Sequence, residues 1–365
     1  MSPTPEPVSV IMPVLNEEEH LAASVRGVLG QDYAGTIDLV LAVGPSDDRT
    51  QEIADRLASE DPRVRVIDNP SGTTPEGLNL AVGASLFDII VRVDAHGEMP
   101  PDYIRTAVEV LRRTGAANVG GRMEARGRTP FEQAVAVAYM SRIGLCWGGF
   151  HMADTPEGPA ETVFLGAFRR DALERVGGFD PTLRRAQDWD LNFRLRSMGE
   201  TVWFTPVLRV TYRPRSTVGA LARQFFTTGQ WRREVMRRRP ETASARYLAP
   251  PVAVVLTAAG VLAGVGGALG GPRGLSLGWA LPVAYAAGVT VAALSLHRDM
   301  PSEVRVRLPL VLAVMHMSWG SGFLVGLPAR LRGTPMGPPG GQRLVAGRTG
   351  RGPARGRPPG RHPRC

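Results

Sequence analysis

The chain has 365 residues, enough for one large domain or for a domain joined to a smaller one. Its net charge is +9 at pH 7, but segment 329–365 contains nine arginines and no acidic residue, so the rest of the chain is neutral overall. This Gly-, Pro- and Arg-rich segment cannot bury enough apolar surface to fold, so we predict a disordered, solvated tail that could contact anionic lipid. The charge therefore gives no indication of a nucleic-acid partner. The chain contains no lysine, which is typical of a GC-rich bacterial genome, and its two cysteines, Cys146 and Cys365, lack the spacing of a metal or redox site.

Short β-branched runs alternate with helical stretches from the start of the chain to about residue 198. Strands are predicted at Val8–Met12, Ile37–Val43, Val64–Ile67, Asp88–Val93 and Asn118–Met123. Helices are predicted between them at Glu17–Leu29, Arg49–Ser59, Pro75–Ala84 and Pro101–Arg113. This alternation is typical of βαβ units, so we expect an α/β fold with a mostly parallel central sheet in a domain at 1–240.

Three uncharged apolar segments follow, at Val252–Leu269, Leu277–Leu296 and Leu308–Leu327. Each is about long enough to cross a bilayer as a helix, so we predict a membrane domain at 247–328. Buried helices of a soluble protein are the alternative, which three such segments in succession disfavour. Arginines concentrate before the first segment and between the second and third, and Met1–Pro7 lacks the pattern of a signal sequence. The positive-inside rule then predicts a multi-pass plasma-membrane protein with its N-terminal domain in the cytosol. Three full crossings would place the arginine-rich tail outside, so whether the third segment crosses fully stays open.

Polar residues follow three of the predicted strands. Pro13, Asn16 and Glu17 come after the first strand, Ser46 and Asp48 lie in the turn after the second, and Asp94-Ala95-His96 ends the fourth. Ligands bind at the carboxyl ends of strands in α/β sheets, so this edge is expected to meet a nucleotide. A carboxylate and an imidazole two residues apart can face one ligand and hold a divalent metal ion. Helix capping is the structural alternative for Ser46 and Asp48, and a dipole interaction is the alternative for Glu17.

Further motifs lie downstream, and the set as a whole resembles a known family in its order and spacing. These motifs are Thr73-Thr74-Pro75-Glu76-Gly77-Leu78-Asn79, Gly177-Gly178-Phe179-Asp180 and Gln187-Asp188-Trp189-Asp190. The chain resembles the family 2 inverting glycosyltransferases, and within them the membrane-attached enzymes of exopolysaccharide assembly of the succinoglycan type, over about Val8 to Arg239. The resemblance implies a GT-A fold, a nucleotide-diphosphate sugar donor, and a lipid-linked or polysaccharide acceptor.

The resemblance also assigns roles to individual residues. It implies donor contacts by Pro13, Asn16, Glu17, Ser46, Asp48, Asn79 and Asp94. It implies acceptor-binding or supporting roles for Gly178, Trp189, Asp190, Gln230 and Trp231. The metal would be held by Asp94 and His96; it is Mn²⁺ or Mg²⁺, and the softer imidazole favours Mn²⁺. The chain departs from the family at Val43 and at His96, where the family usually has Asp, so the base of the nucleotide and the metal are left open.

Asp188 is the candidate catalytic residue, because inverting transfer needs one base to take the proton of the acceptor hydroxyl. Leu191, Leu195 and Met198 recur at helical spacing after it, so Asp188 is also predicted to start a helix, where capping is the structural alternative. A polyprenyl-phosphate sugar synthase would share the fold and the donor but use a phosphate nucleophile. A nucleotidyltransferase would release pyrophosphate instead. A non-catalytic membrane scaffold with a decayed site is the alternative that is not an enzyme.

Overall fold

The computed structural model of the protein describes residues 5–144, 149–152, 154–296 and 300–331. Most of the predicted tail, from residue 332 onward, and both cysteines lie outside the described residues. The described part contains one eight-stranded sheet with the strand order β3-β2-β1-β4-β7-β5-β8-β6. The strands are β1 Val8–Val14, β2 Ile37–Val43, β3 Val64–Asp68, β4 Ile89–Arg92, β5 Asn118–Ala125, β6 Gly158–Pro159, β7 Phe164–Arg169 and β8 Val202–Tyr212.

Half of this sheet is a parallel α/β unit. β1 pairs in parallel with β2 and with β4, and β3 extends the sheet beyond β2. The carboxyl ends of β1 and β4 therefore lie side by side. The prediction of five strands is confirmed, with ends that differ by at most two residues. The sheet is mixed because β7, which the sequence did not predict, lies antiparallel between β4 and β5.

Helices cover both faces of the sheet. Those of the N-terminal domain are α1 Leu21–Leu29, α2 Thr50–Glu60, α3 Thr74–Ala84, α4 Tyr103–Thr114, α5 Pro130–Tyr139, α6 Arg170–Arg175, α7 Gln187–Ser197 and α8 Val218–Arg238. Side chains of α1, α2 and α4 share one core with the sheet, and side chains of α3, α6 and α7 share the core on the other face. The first helix begins at Leu21, four residues later than predicted, and before it the backbone N–H groups at 16–18 donate to the side chains of Ser46, Thr50 and Asp48.

Four helices follow α8: α9 Ala249–Ala268, α10 Ala280–Ser295, α11 Ser302–Arg305 and α12 Leu308–Val325. Three helical segments, at 245–268, 273–295 and 302–325, are long and apolar enough to cross a membrane. This confirms the three predicted segments by length and composition.

The third segment is also part of the core of the N-terminal domain. Leu308, Val311, Leu312 and Met315 of α12 share a cluster of buried residues with α5 and α8. Two glycines permit the close crossing of α8 and α12, because a Cβ atom at Gly229 would overlap the Trp319 carbonyl oxygen and one at Gly322 would overlap that of Phe226. The last apolar helix, α12, is therefore packed directly against α5 and α8.

Candidate active site

A cavity of about 1080 Å³ opens at the carboxyl ends of β1 and β4. Pro13, Glu17, Asp94 and His96 line it at the sheet edge, and Asp188 and Trp189 line it from the start of α7. The cavity then continues to α8, α9 and α12, where its lining includes Trp231, Tyr247, Pro250 and Trp319. At this volume, the cavity is as large as the largest usual small-molecule sites and can hold two ligands of moderate size.

Seven of the predicted site residues are not among those that line the cavity. They are Asn16, Ser46, Asp48, Asn79, Gly178, Asp190 and Gln230. Their side chains or backbone groups instead join the loops and helices that surround the cavity.

The β1–α1 and β2–α2 loops are tied together by side chains of both. The Asn16 Oδ1 atom accepts a hydrogen bond from the Asp47 backbone at 2.8 Å, and the Asn16 backbone donates to Ser46 Oγ at 3.0 Å. Asp48 accepts from the Glu18 backbone at 3.2 Å. Asn16 has a φ of 54°, a left-handed conformation that Asn tolerates better than most residues. These residues hold the two loops together beside the cavity, and their predicted contact with a nucleotide stays a prediction.

Asn79 holds the glycine loop that precedes α7. Its amide donates to the Phe179 carbonyl at 2.7 Å and accepts from the Phe179 backbone N–H at 2.8 Å. Both groups of the side chain thus make hydrogen bonds within the protein, and the contact with the donor stays a prediction. Gly178 lies within the same loop at a φ of 71°, where a side chain would be strained.

Gln230 and Asp190 are also structural in their contacts. Gln230 donates to the Gly326 carbonyl at 2.8 Å and so fastens α8 to the end of α12. Asp190 is buried and pairs with Arg194 at 2.7 Å and with Arg239 at 3.5 Å. The supporting role predicted for Asp190 agrees with these contacts, which join the start of α7 to the end of α8.

Arg92 connects the two predicted acids of the site. This last residue of β4 is only 4% exposed, and its Nε and Nη2 atoms donate to Asp94 Oδ1 at 3.2 and 3.0 Å. Its Nη1 atom donates to Asp188 Oδ1, and its guanidinium lies 5.9 Å from the centre of the Phe179 ring. One buried cation therefore holds the end of β4 against the start of α7.

The Asp188 carboxyl is set into the cavity wall. Burial raises the pKa of this carboxyl above its ordinary value; the positive charge of Arg92 opposes that rise and the negative charge of Asp94 adds to it. Ala186, two residues earlier, has a φ of 61°, so the chain turns sharply before α7. A carboxylate whose pKa is raised towards neutral pH is better suited to accept a proton than an ordinary one.

His96 lies across the cavity mouth from the first strand. Its Nδ1 atom is 2.8 Å from Glu17 Oε1, and this hydrogen bond raises the pKa of His96. The imidazole is 55% exposed, whereas Glu17 is 16% exposed. A carboxylate that receives the Nδ1 proton leaves Nε2 as the nitrogen free to bind a metal, an arrangement common around metal-binding histidines.

The donor set at this edge fits a divalent cation that is bound partly by its substrate. Arg92 contacts only the Oδ1 atom of Asp94, so Asp94 Oδ2 and His96 Nε2 are the atoms that would hold a cation here. The described residues contain no group of three or more His, Cys, Asp or Glu side chains that could hold a metal ion. Substrate phosphate oxygens would have to complete the coordination, as they do at many Mg²⁺ sites.

Five arginines line the cavity, and none of them was predicted from the sequence as a site residue: Arg92, Arg184, Arg185, Arg232 and Arg246. Arg92 stands inside the run Asp88–Val93, which was interpreted as apolar, and a lone arginine at the end of a buried strand is a signal because a buried cation needs partners. Arg232 lies on α8 and follows the predicted pair Gln230 and Trp231 directly. Its partners come from α7 and from the segment before α9, so no local pattern marks it.

Comparisons with known proteins bear on the family and the fold. Residues 9–177 match the model of the family described as glycosyl transferase family 2. The succinoglycan biosynthesis protein ExoA of Rhizobium meliloti is 30% identical over 318 residues, which cover 86% of this chain and 93% of that protein. A Methanococcus voltae protein, dolichyl N-acetyl-α-D-glucosaminyl phosphate 3-β-D-2,3-diacetamido-2,3-dideoxy-β-D-glucuronosyltransferase, is 22% identical over 61% of this chain and 71% of its own length.

A solved structure shares the fold. The mannosyltransferase PcManGT from Pyrobaculum calidifontis, in complex with GDP-Man and Mn²⁺, has a TM-score of 0.56 at 20% identity and covers 88% of each chain. With the identity to ExoA extending over most of both proteins, the chain belongs to glycosyl transferase family 2 and is a glycosyltransferase with a GT-A fold.

Proposed function

We propose that this enzyme transfers a sugar, with inversion, from a nucleotide-diphosphate donor to a hydroxyl of a lipid-linked or polysaccharide acceptor in exopolysaccharide synthesis. Similarity to ExoA supports the pathway, since that protein is named for succinoglycan biosynthesis. The archaeal relative is named for an acceptor sugar on dolichyl phosphate, which supports a lipid-linked acceptor.

One observation carries this proposal: Arg92 joins Asp94 to Asp188 at the wall of a cavity that reaches from the sheet edge to the membrane helices. Asp94, which is predicted to contact the donor and the metal, and Asp188, the proposed base, are thus both bound to the guanidinium group of Arg92. A donor bound at the sheet edge and an acceptor that enters from the membrane side would meet at Asp188.

The reaction uses these residues as follows. Asp188 takes the proton of the acceptor hydroxyl, whose oxygen attacks the anomeric carbon opposite the diphosphate. The bond between the anomeric carbon and the diphosphate oxygen breaks, and the nucleoside diphosphate leaves. Arg92 keeps the Asp188 and Asp94 carboxylates in place, and Asp94 and His96 would hold the divalent cation. A cation bound there neutralises negative charge that develops on the leaving diphosphate, so no protein acid is needed.

Mn²⁺ is the better fit of the two candidate metals. An imidazole ligand is softer than the carboxylate usual at this position and suits Mn²⁺ better than Mg²⁺. The PcManGT structure contains Mn²⁺, which agrees with this choice.

The test is the release of nucleoside diphosphate by the full chain in membranes, screened over donor sugars and with added Mn²⁺ or Mg²⁺. We expect release that chelation abolishes, and Asp188→Asn should lower kcat by about 10²- to 10⁴-fold. Asp171→Asn is a matched control, because Asp171 lies in the first turn of α6 but is half exposed and outside the cavity lining. An equal loss of kcat in both variants would show that Asp188 acts only by stabilising the first turn of its helix.

The same variant separates a hydroxyl acceptor from a phosphate acceptor. A phosphate nucleophile needs no strong base, so Asp188→Asn would barely slow a polyprenyl-phosphate sugar synthase. Release that persists in Asp188→Asn with a polyprenyl phosphate as acceptor would therefore replace the proposed hydroxyl acceptor with phosphate.

We further propose that the protein is a multi-pass protein of the plasma membrane with the α/β domain in the cytosol. Arginines flank the first candidate span on the side of this domain, as the positive-inside rule requires. Tags placed at the N-terminus and in the 269–272 turn should differ in accessibility in intact spheroplasts, the turn being labelled and the N-terminus protected. Labelling of both, or of neither, would reject this topology.

A further inference from the structure

The membrane end of the cavity contains two arginines that share one aromatic ring. Arg232 lies on α8, and Arg246 and Tyr247 lie in the segment that leads into α9. All three line the cavity together with Pro250 of α9 and Trp319 of α12. This end of the cavity is therefore bounded by two of the helices that can cross a membrane.

Both guanidinium groups lie close to the same aromatic ring. The Cζ atom of Arg232 lies 4.3 Å from the centre of the Tyr247 ring and that of Arg246 lies 4.9 Å from it. Arg232 also lies 5.0 Å from the centre of the Trp189 ring. Planar guanidinium groups stack well on aromatic faces, so the rings fix both groups in position.

The charges of this pair are poorly compensated within the described part of the chain. Glu161 contacts Arg246 at 3.4 Å but is 69% exposed, so water screens it. The Nη1 atom of Arg232 and the Nε atom of Arg246 are buried and have no hydrogen-bond partner. Burial and the nearby charge of Arg246 lower the pKa of Arg232. Buried donors without acceptors cost free energy unless a ligand satisfies them.

A phosphate group would supply the negative charge and the hydrogen-bond acceptors that the two arginines lack within the described residues. Guanidinium groups bind phosphate oxygens through paired, charge-assisted hydrogen bonds, and two of them would neutralise one phosphate. A phosphate at this end of the cavity would lie where a membrane lipid can reach it. Arg232 lies over the Trp189 ring, and Asp188, Trp189 and Arg232 line the same cavity, so such a phosphate would share the cavity with the proposed base.

We propose that Arg232 and Arg246 bind the phosphate of the lipid-linked acceptor and thereby place its sugar hydroxyl at Asp188. The assignment to the acceptor rests on the glycosyl transfer proposed above, whereas the binding of a lipid phosphate does not. Arg232 and Arg246 are specificity-determining residues in this proposal, since they select an acceptor that carries a phosphate on the membrane side.

The test measures binding without turnover. The full chain in detergent is titrated with farnesyl phosphate as a short polyprenyl phosphate, with farnesol as its uncharged match, and with UDP and GDP in the presence of Mn²⁺. Arg232→Gln should weaken farnesyl phosphate binding by roughly ten- to a hundredfold, the effect of losing charge-assisted hydrogen bonds. Arg232→Lys keeps the charge and should lose less.

Arg223→Gln is the matched control, because Arg223 is exposed on the same helix and does not line the cavity. We expect it to bind both ligands within about twofold of the unaltered protein, a change no larger than that of a surface substitution. Arg232→Gln should bind UDP or GDP equally well and should melt at the same or a higher temperature, because one of two like charges is removed.

Four results would overturn the proposal: unchanged farnesyl phosphate affinity in Arg232→Gln, an equal loss of farnesol binding, a comparable loss of nucleotide binding, or a marked fall in melting temperature. The third would place the donor diphosphate at these arginines, and the fourth would make Arg232 a structural residue. If the binding results are as expected while no donor sugar is transferred, the lipid-phosphate site stands and the proposed function fails. If transfer occurs but Arg232→Gln binds farnesyl phosphate and transfers sugar normally, the proposed function stands and the lipid-phosphate site fails.

Discussion

Replacing Arg92 with methionine tests whether one buried cation holds the active site together. The substitution removes three hydrogen bonds, two to Asp94 and one to Asp188, from a side chain that is 4% exposed. Breaking a fully buried ion pair costs about 3–5 kcal/mol because a charge is left uncompensated. The two carboxylates are 27% and 25% exposed and can regain some water, so we expect a smaller loss of about 2–3 kcal/mol. For a domain of this size, the loss corresponds to a fall in Tm of roughly 4–10 °C.

A double-mutant cycle makes this prediction specific to the pair. In the unaltered protein, Asp188→Asn leaves Arg92 with one carboxylate and should not raise the Tm. In Arg92→Met, the same change removes an uncompensated negative charge and should raise the Tm. Thermal unfolding of the purified full chain in detergent measures all four variants.

Arg65→Met provides the control. Arg65 pairs with Asp38 at 2.8 Å on the far strands of the sheet, away from the cavity, and is 34% exposed. The substitution leaves the Asp38 carboxylate, which is 5% exposed, without this cation and should also lower the Tm, but Asp188→Asn should have the same effect with or without it. If Asp188→Asn has one and the same effect in the Arg92→Met and unaltered backgrounds, the electrostatic coupling argued here is wrong.

Three other predictions follow from the site. The pKa of Asp188 is raised above the ordinary Asp value of about 4, and a general base must be ionised to act. We therefore expect kcat/KM to fall as the pH drops through a value above about 4. A pH–rate profile whose acid limb lies at or below about 4 would contradict this. Asp190→Asn should lower the Tm, because its contacts are to buried arginines, while the KM for the donor changes little; differential scanning fluorimetry and initial rates measure both, and a large rise in KM alone would refute the supporting role. The described residues contain no group of three or more side chains that could hold a metal ion, and only Asp94 and His96 are proposed as ligands. Mn²⁺ should therefore bind much more tightly with a nucleoside diphosphate present than alone. Equal affinities measured by calorimetry would mean that the protein completes the metal site without phosphate.

Local patterns in the sequence were sufficient to locate β1 to β5 and α1 to α4. The alternation of β-branched and helical runs placed the ends of β1 to β5 closely, because burial on a sheet imposes its period on neighbouring residues. The start of α7 at Gln187 also followed from the spacing of Leu191 and Leu195. The antiparallel strand β7 was missed, since its position depends on pairing with strands far away in the chain.

The roles of several polar residues depended on partners distant in sequence. The amide of Asn79, for which a donor contact stays a prediction, bonds to the backbone of Phe179, which lies 100 residues later. Asn16 and Ser46 were expected at the nucleotide as well, and they join two loops to each other. An Asn or Ser near a strand end can bind a ligand or a loop, and only the folded chain decides between them.

By itself the sequence determined the resemblance to family 2 glycosyltransferases, the α/β order of the elements, the three apolar segments and the acids at the ends of β4 and at the start of α7. These properties are local, or they follow from the order of motifs along the chain. Tertiary structure alone decided that Arg92 joins Asp94 to Asp188 and that two arginines meet at Tyr247 beside the membrane helices. Burial of a charge costs free energy unless a partner offsets it, and Asp188, the partner that joins Arg92 to α7, lies 96 residues away in the chain.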